Sequence, residues 1–370
     1  MRFAFVMEQT LGHVAHTRNL EMTLARESWI DGTVDKLAFP PAGVLGRLPG
    51  LQNWSLRASL MARAALRRQL RQRPLDAAFI HTQVAAQLSV GIMRRVPTVV
   101  SLDATPKNFD EVGEAYGHRR GSTLAESAKA AVTRRALLAA SALVTWSRLA
   151  ADSLVNDYGA AAERIHVIPP GVDIGRFLPQ DRRRAEGPLR ILFVGGDFER
   201  KGGPDLVKAL VGLSNVELDA VTRSDVKTPP GVCCRVHRGL QPGDPALLQL
   251  YRRADVFAMP SRGDCMPQAL AEGAAAGLPL VSTSVGAVPE IVQDGRNGLL
   301  VQAGSPADLR LALRRVAGDP GLRRAMGRES KTLARREHDA MANHRRIFDL
   351  MAEVSHAGAH RRMAVGEWPA

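Results

Sequence analysis

Two carboxylates eight positions apart, Asp264 and Glu272, stand in the stretch ADVFAMPSRGDCMPQALAEGAAAGLPLVSTSVGAVPEIVQDGRNGLL, which runs from position 254 to 300. A carboxylate only accepts hydrogen bonds, so such a pair suits a polyhydroxylated ligand, one gripping a ribose and the other a sugar. Between them lies an expected helix start, which offers free N–H groups and positive potential to a phosphate. Sugar, phosphate and ribose are the parts of a nucleotide sugar. The plainer reading has Asp264 capping the helix and Glu272 as a solvated residue on it. A second cluster lies upstream, where Gly195-Gly196-Asp197-Phe198-Glu199-Arg200-Lys201-Gly202-Gly203 joins a glycine-rich loop to two adjacent cations. That combination neutralises a diphosphate when the loop follows a strand and opens a helix.

Periodicity supplies those elements. Residues 256–259 form a short apolar run, 260–264 a polar loop, 267–276 an alanine-rich helix closed by Gly277, and 280–281 a second buried run. Strand, loop, helix, strand predicts parallel pairing. Residues 189–194 read as a buried strand before the glycine-rich loop, with a helix expected through 213. Further strands are expected at 3–7, 77–81, 98–102, 139–146, 165–168 and 219–221. Helices are expected at 13–24, 55–73, 84–94, 148–158, 247–254, 308–316, 322–335 and 338–354. The alternation predicts an α/β protein with parallel sheets, and the length of 370 residues suits two domains.

The segment from 165 to 300 resembles the retaining glycosyltransferases of family four. Asp264 and Glu272 fall on the family's acidic pair, and Gly277-Leu278-Pro279, Gly286 and Pro289-Glu290 match the text that follows it. Pro169-Pro170-Gly171-Val172-Asp173 is similar to the family's interdomain crossing. The resemblance implies a GT-B fold, two Rossmann-like parallel-sheet domains facing a cleft. Its expected divisions are 1–170 on the acceptor side, a linker at 171–188, a nucleotide-sugar domain at 189–337, and a helix at 338–370 crossing back to the first domain. It also implies transfer of a sugar from a UDP- or GDP-sugar to a hydroxyl acceptor, with retained configuration and no cofactor or metal. The acceptor would be a glycan, a lipid-linked molecule or a small molecule. Alternatives of the same fold are a nucleotide-sugar epimerase and a non-catalytic nucleotide-sugar-binding relative.

Carried over by position, Arg200, Lys201 and Asp264 are the expected catalytic residues, the first two stabilising the departing diphosphate and Asp264 holding the donor sugar. Gly195, Gly196, Glu272, Cys265, Met266, Arg238 and Leu240 are expected around the donor. Gly12, His13, Asp103 and His118 are expected on the acceptor side, His13 having surface or capping duty as its plainer role. Four departures from the family stand out. Gly196 occupies the place of an Arg, so that Arg200 is expected to supply the missing guanidinium. Asp264 replaces Glu, and Cys265-Met266-Pro267 replaces Gly-Phe-Gly. In the first half, Leu102-Asp103 stands where the family has His-Asp, and 103–118 reads as a long polar loop.

Net charge is +13, from 50 Lys and Arg against 37 Asp and Glu. That charge permits anionic ligands, yet aromatic residues make up 5% and no nucleic-acid recognition motif is present, so nucleic acid is not an expected partner. Arg63, Arg67 and Arg71 form one stripe of the helix at 55–73, beside Ala62, Leu66 and Leu70. The stripe is either a wet face or a contact with an anionic membrane. Three cysteines without metal or redox spacing, and no apolar run of spanning length, point to a cytoplasmic protein, with peripheral contact at the inner face of the membrane as the further expectation.

Overall fold

Phe3 to Met7 are fully buried, and their alternation assigns each to one of two apolar layers. Ala4 and Val6 pack with Ala62 and Leu66, whereas Phe3, Phe5 and Met7 pack with Leu20, Phe348 and Met351. Successive side chains of a strand point to opposite faces, so one buried run demands helices on both sides of its sheet. The computed structural model, which describes residues 1–10, 12–38, 53–117, 121–177 and 187–364, has that architecture twice.

The chain divides into two compact units. The first comprises Met1–Lys107, Arg120–Pro170 and Ala340–Ala370; the second comprises Asn108–Arg119 and Gly171–Asp339. Unit 1 holds a six-stranded sheet in the order β2-β1-β3-β4-β5-β6. Its strands are β1 (Arg2–Glu8), β2 (Asp31–Leu37), β3 (Ala77–His81), β4 (Thr98–Leu102), β5 (Ala142–Thr145) and β6 (Ile165–Val167). All five pairings are parallel. Helices Trp54–Gln72 and Thr123–Ala139 cover one face, and His13–Leu24 and Ala340–Ala364 the other. The Asn53 side chain starts the first of these by accepting from the amides of Ser55 at 3.0 Å and Leu56 at 3.2 Å.

Unit 2 repeats the plan in the order β12-β11-β10-β7-β8-β9. Its strands are β7 (Leu189–Val194), β8 (Val216–Val221), β9 (Cys233–His237), β10 (Val256–Met259), β11 (Leu280–Thr283) and β12 (Gly298–Val301). These pairings too are parallel. The fold is therefore α/β with two parallel sheets.

Some local expectations are corrected. The helix expected at 84–94 is two short ones, Gln83–Ala86 and Val90–Met93. The expected long loop from Asp103 contains the helix Pro106–Val112 and the 3-10 turn Gly113–Tyr116. Pro106 opens that helix, where its missing N–H costs nothing. The strand β2 and the helix Thr123–Ala139 are additions to the sequence reading.

Candidate functional site

In unit 2 the chain places β8 on one side of β7 and later inserts β10 on the other. The gap between β7 and β10 is thus a topological switch point, where the following loops part and leave a crevice at the carboxyl ends of the strands. The loops that part there are 195–202 and 260–267, the two that carry Lys201 and Asp264.

Side chains and backbone tie these loops together. The Lys201 ammonium donates to Asp264 Oδ2, and Ser261 Oγ donates to the same oxygen at 3.2 Å. Arg262 N donates to the Arg200 carbonyl at 2.9 Å, and Arg200 Nη1 donates to the Gly263 carbonyl at 2.9 Å. Such close packing depends on two glycines. Gly202 has φ +75°, and a Cβ there would stand 1.8 Å from the Pro260 carbonyl oxygen. Gly286 has φ +52°, and a Cβ there would stand 2.0 Å from the Asp264 carbonyl oxygen. No other residue type fits either place.

Arg200 is 8% exposed, and its guanidinium is engaged on several sides. Besides Gly263 it reaches Asp197 Oδ2 at 3.3 Å, and the Tyr116 ring covers it at 4.2 Å from the ring centroid. This guanidinium, expected from its sequence position to face a diphosphate, staples the two loops and the turn that carries Tyr116, and its Nη1 lies 3.9 Å from Asp264 Oδ2.

Glu272 lies in the helix Gln268–Ala275, whose N-cap is Pro267 with no side-chain cap. Asp264 is therefore no helix cap. The Tyr251 hydroxyl donates to Glu272 Oε2 at 2.6 Å. Burial pushes the Glu272 carboxyl up to about 7, against the Tyr251 hydrogen bond, which holds it down. The same burial, with the neighbouring carboxylate, raises the Tyr251 phenol well above its ordinary value. Of the other donor-side candidates, Gly195 donates its amide to the Val221 carbonyl at 2.9 Å, and Gly196 lies beside Arg223. The Cys265 carbonyl accepts from Ala287 N at 2.9 Å, and Met266 is buried. Arg238 and Leu240 follow the edge strand β9, and Arg238 pairs with Asp225 at 2.7 Å.

Unit 1 has its own switch point, between β1 and β3. Glu8 closes β1 and is 2% exposed. It accepts from Thr82 Oγ1 at 2.7 Å and from Thr10 Oγ1. His13, the first residue of the helix His13–Leu24, places Nδ1 at 3.5 Å from Glu8 Oε1 and Nε2 at 3.6 Å from Asp103 Oδ2. Burial alone would lower the imidazole, but the contacts with Asp103 and Glu8 outweigh it and push it up to about 10. It is a fixed cation at neutral pH, holding two carboxylates rather than accepting a proton. Behind it, His81 stacks on Trp146 with centroids 5.0 Å apart, and His344 Nε2 lies 3.4 Å from His16 Nδ1. Burial lowers His16, His81 and His344, the last to about 3, so these imidazoles stay neutral.

The structure thus joins Lys201, Arg200 and Asp264 in one unit, and His13 and Asp103 in the other, where Gly12 is the N-cap of the His13 helix. His118 lies outside the described residues. Glu8, Thr82, Arg223 and Tyr251 are additions to the candidate sites, whereas Tyr116, a candidate of the 103–118 segment, covers Arg200 in unit 2. Glu8 had a signal, a lone acid closing the apolar run 3–7 with Thr10 and His13 just beyond. Tyr251 had none, since its partner lies 21 positions away. Among the described residues no group of His, Cys, Asp or Glu could hold a metal ion, and no helix is long and apolar enough to cross a membrane.

Two parallel Rossmann-like sheets, each with polar residues gathered at its switch point, define a protein of the GT-B fold, and solved structures share this fold. Sucrose-phosphate synthase from Thermosynechococcus elongatus matches over 96% of this chain and 100% of its own, with TM-score 0.76 and 17% identity. The Anabaena protein HepE in complex with UDP-glucose matches over 95% and 100%, with TM-score 0.68 and 16% identity. By sequence, residues 17–176 match the family described as Glycosyltransferase Family 4 and residues 184–319 the family described as Glycosyl transferases group 1. The D-inositol 3-phosphate glycosyltransferase of Actinosynnema mirum is 32% identical over 320 residues, 76% of this chain and 75% of that protein. A relative of the same description from Catenulispora acidiphila is 30% identical over 211 residues, half of each chain. The chain belongs to glycosyltransferase family 4, and is a transferase of sugars.

Proposed function

We propose that the protein transfers a sugar from a nucleoside diphosphate sugar, with UDP favoured as the nucleotide, to a hydroxyl of a polyol or glycan acceptor, with retention at the anomeric carbon. The observation that carries this reading is the Lys201–Asp264 contact at the β7/β10 switch point, with Glu272 in the helix that follows. Residues 189–337 would hold the donor: Glu272 accepting from ribose hydroxyls, Asp264 accepting from the sugar, and Lys201 facing the diphosphate. UDP is favoured because HepE, which shares the fold, was solved with UDP and with UDP-glucose. A phosphorylated polyol is the leading acceptor class, from the descriptions of the sequence relatives.

In the reaction, the bond from the anomeric carbon to the β-phosphate oxygen breaks as the acceptor oxygen bonds to that carbon on the same face. The acceptor proton passes to the departing phosphate oxygen. The protein's contribution is to stabilise the growing phosphate charge with a preorganised cation, which is electrostatic catalysis. His13 stays charged and serves on the acceptor side by fixing Asp103, whose side chain is 29% exposed and accepts from an acceptor hydroxyl, with buried Glu8 holding the imidazole from behind. Thermal-shift titration with UDP-, GDP- and ADP-sugars tests the reading. Stabilisation by one nucleotide class, lost in Glu272→Ala, supports it. Transfer of labelled sugar to an inositol phosphate then tests the acceptor class, and an inert protein under all donors overturns the proposal.

Peripheral contact with an anionic membrane is proposed for the helix Trp54–Gln72. Trp54 and Leu60 are each 44% exposed, and Arg63 and Arg67 line the same surface as Leu60. Equal sedimentation of the unaltered chain and an Arg63→Glu/Arg67→Glu/Arg71→Glu variant with anionic vesicles would overturn it.

A further inference from the structure

The cations of the glycine-rich loop are already engaged: Lys201 on Asp264, and Arg200 on Asp197 and the Gly263 carbonyl. A second guanidinium stands beside the loop. Arg223 follows β8, which pairs with β7 in parallel up to Val194 and Val221. The residues on either side of it are pinned to the loop. Thr222 Oγ1 donates to the Gly196 carbonyl at 3.5 Å, and Phe198 N donates to Ser224 Oγ at 3.2 Å. The backbone that carries Arg223 is thereby held beside Gly196. A Cβ at Gly196 would stand 3.1 Å from Arg223 Nη2 and 3.3 Å from Nε. The bare glycine leaves the space the guanidinium fills. Arg223 is exposed and has no hydrogen-bond or ion-pair partner among the described residues.

We infer that Arg223 binds the β-phosphate of the donor and of the nucleoside diphosphate it leaves behind, acting across Gly196. Three features favour phosphate as its ligand. A guanidinium matches a phosphate with two parallel N–H···O bonds. Its place is the carboxyl end of β8, next to the switch-point loop, on the side where ligands of parallel sheets collect. A diphosphate also brings more negative charge than Lys201, shared with Asp264, can balance. Arg223 differs from Arg200 in being free to move toward a ligand, since nothing described in the structure holds its head group. This assignment rests on the donor reading above and deepens it by naming the group that meets the second phosphate.

The test is calorimetric titration of the full chain with UDP and GDP, and with UMP and GMP as probes lacking the β-phosphate. Arg223→Ala is expected to weaken the diphosphate by about tenfold or more, the range for one lost hydrogen bond to a charged group. Monophosphate affinity is expected to stay unchanged. Gly196→Arg placed in the Arg223→Ala background is expected to restore diphosphate affinity, because it returns a guanidinium to the same space from the other side. Unchanged diphosphate affinity in Arg223→Ala overturns the inference, as does an equal loss for monophosphate and diphosphate. If the unaltered chain binds no nucleotide, the donor reading itself fails, and the inference with it. Arg223 packs against nothing that holds the fold, so its variant is expected to melt at the unaltered temperature.

Discussion

Lys201 and Asp264 meet across the switch point of unit 2, ammonium to Oδ2, with side chains only 14% and 7% exposed. The contact joins the loop after β7 to the loop after β10. Lys201 is already partly neutralised before any ligand arrives, and Asp264 is already held. Removing only the charge of Asp264 therefore acts in two opposite ways. Asp264→Asn frees Lys201 for phosphate, so UDP or GDP binding is expected to stay equal or tighten. The same change removes an acceptor for the donor sugar and loosens the loop, so sugar transfer is expected to fall on the order of 100-fold. Calorimetry and turnover on one preparation check the pair of outcomes. A parallel loss of nucleotide binding would show that Asp264 contacts the diphosphate side instead.

The hydrogen bond from Tyr251 to Glu272 leads to a proton-linkage prediction. Burial holds the Glu272 carboxyl at about 7, above its ordinary 4.5. A raised acid contributes stability fully below 4.5 and loses it as pH rises through 7, because the fold prefers the proton. Ribose hydroxyls need the carboxylate, so nucleotide binding should favour the opposite form. Between pH 6 and 7 binding is expected to release a proton, and affinity is expected to be higher at pH 8 than at pH 6. Titration at pH 6.5 in two buffers of different ionisation heat measures that release directly. Glu272→Gln should abolish it, and an unchanged proton count in that variant would assign the release elsewhere.

Sequence reading reached the strands and loops of unit 2 because they are written in strong local contrasts. The apolar run 256–259 is wholly buried, and Pro267 and Gly277 bracket its following helix. It reached β1 for the same reason. It missed β2, whose sequence DGTVDKL is largely half-exposed at a sheet edge and lacks the apolar run. The helix Thr123–Ala139 was hidden because it buries only Thr133, Ala136 and Leu137, too few to show a periodic stripe. At the sites, sequence order named Lys201, Arg200, Asp264, His13 and Asp103 but not which of them pair. That Arg200 would be spent on Gly263 and Tyr116 depends on loop closure, which leaves no periodic mark. Arg223 was invisible for a related reason: only the parallel register of β7 and β8 carries it to Gly196.

The buried imidazoles of unit 1 predict an acid limit to its stability. His16, His81 and His344 all have lowered values in the fold, His344 to about 3. Their contribution is complete above 6.5 and is lost as pH falls toward the folded value, since the unfolded chain takes up the proton first. Each such histidine steepens the loss by about 1.4 kcal/mol per pH unit. His13 has the opposite sign: raised to about 10, its contribution is present below 6.5 and lost as pH rises through 10. Hydrogen exchange of the helices His13–Leu24 and Ala340–Ala364 is expected to accelerate steadily from pH 6.5 to 4.5, after correction for intrinsic rates. His344→Phe should flatten that dependence; an identical slope would place the titration on another group.

Gly286 offers a test of how tightly the Asp264 loop must be approached. Two effects forbid a side chain there, a φ of +52° and a Cβ position 2.0 Å from the Asp264 carbonyl oxygen. Gly295 isolates the first effect, with φ +73° and nothing within 4 Å of its Cβ position. Gly295→Ala is expected to cost about 1 kcal/mol, the strain of a left-handed non-glycine residue, and to leave nucleotide affinity unaltered. Gly286→Ala adds a collision with backbone, which cannot turn aside as a side chain can. It should lower the melting temperature further and shift the Asp264 carbonyl, so the thermal shift given by a nucleotide sugar is expected to shrink or vanish. The comparison separates backbone strain from close approach, since both variants carry the first and only one carries the second. Equal behaviour of the two variants would mean that the loop after β10 yields easily, and that the position of Asp264 does not depend on the glycine beneath it.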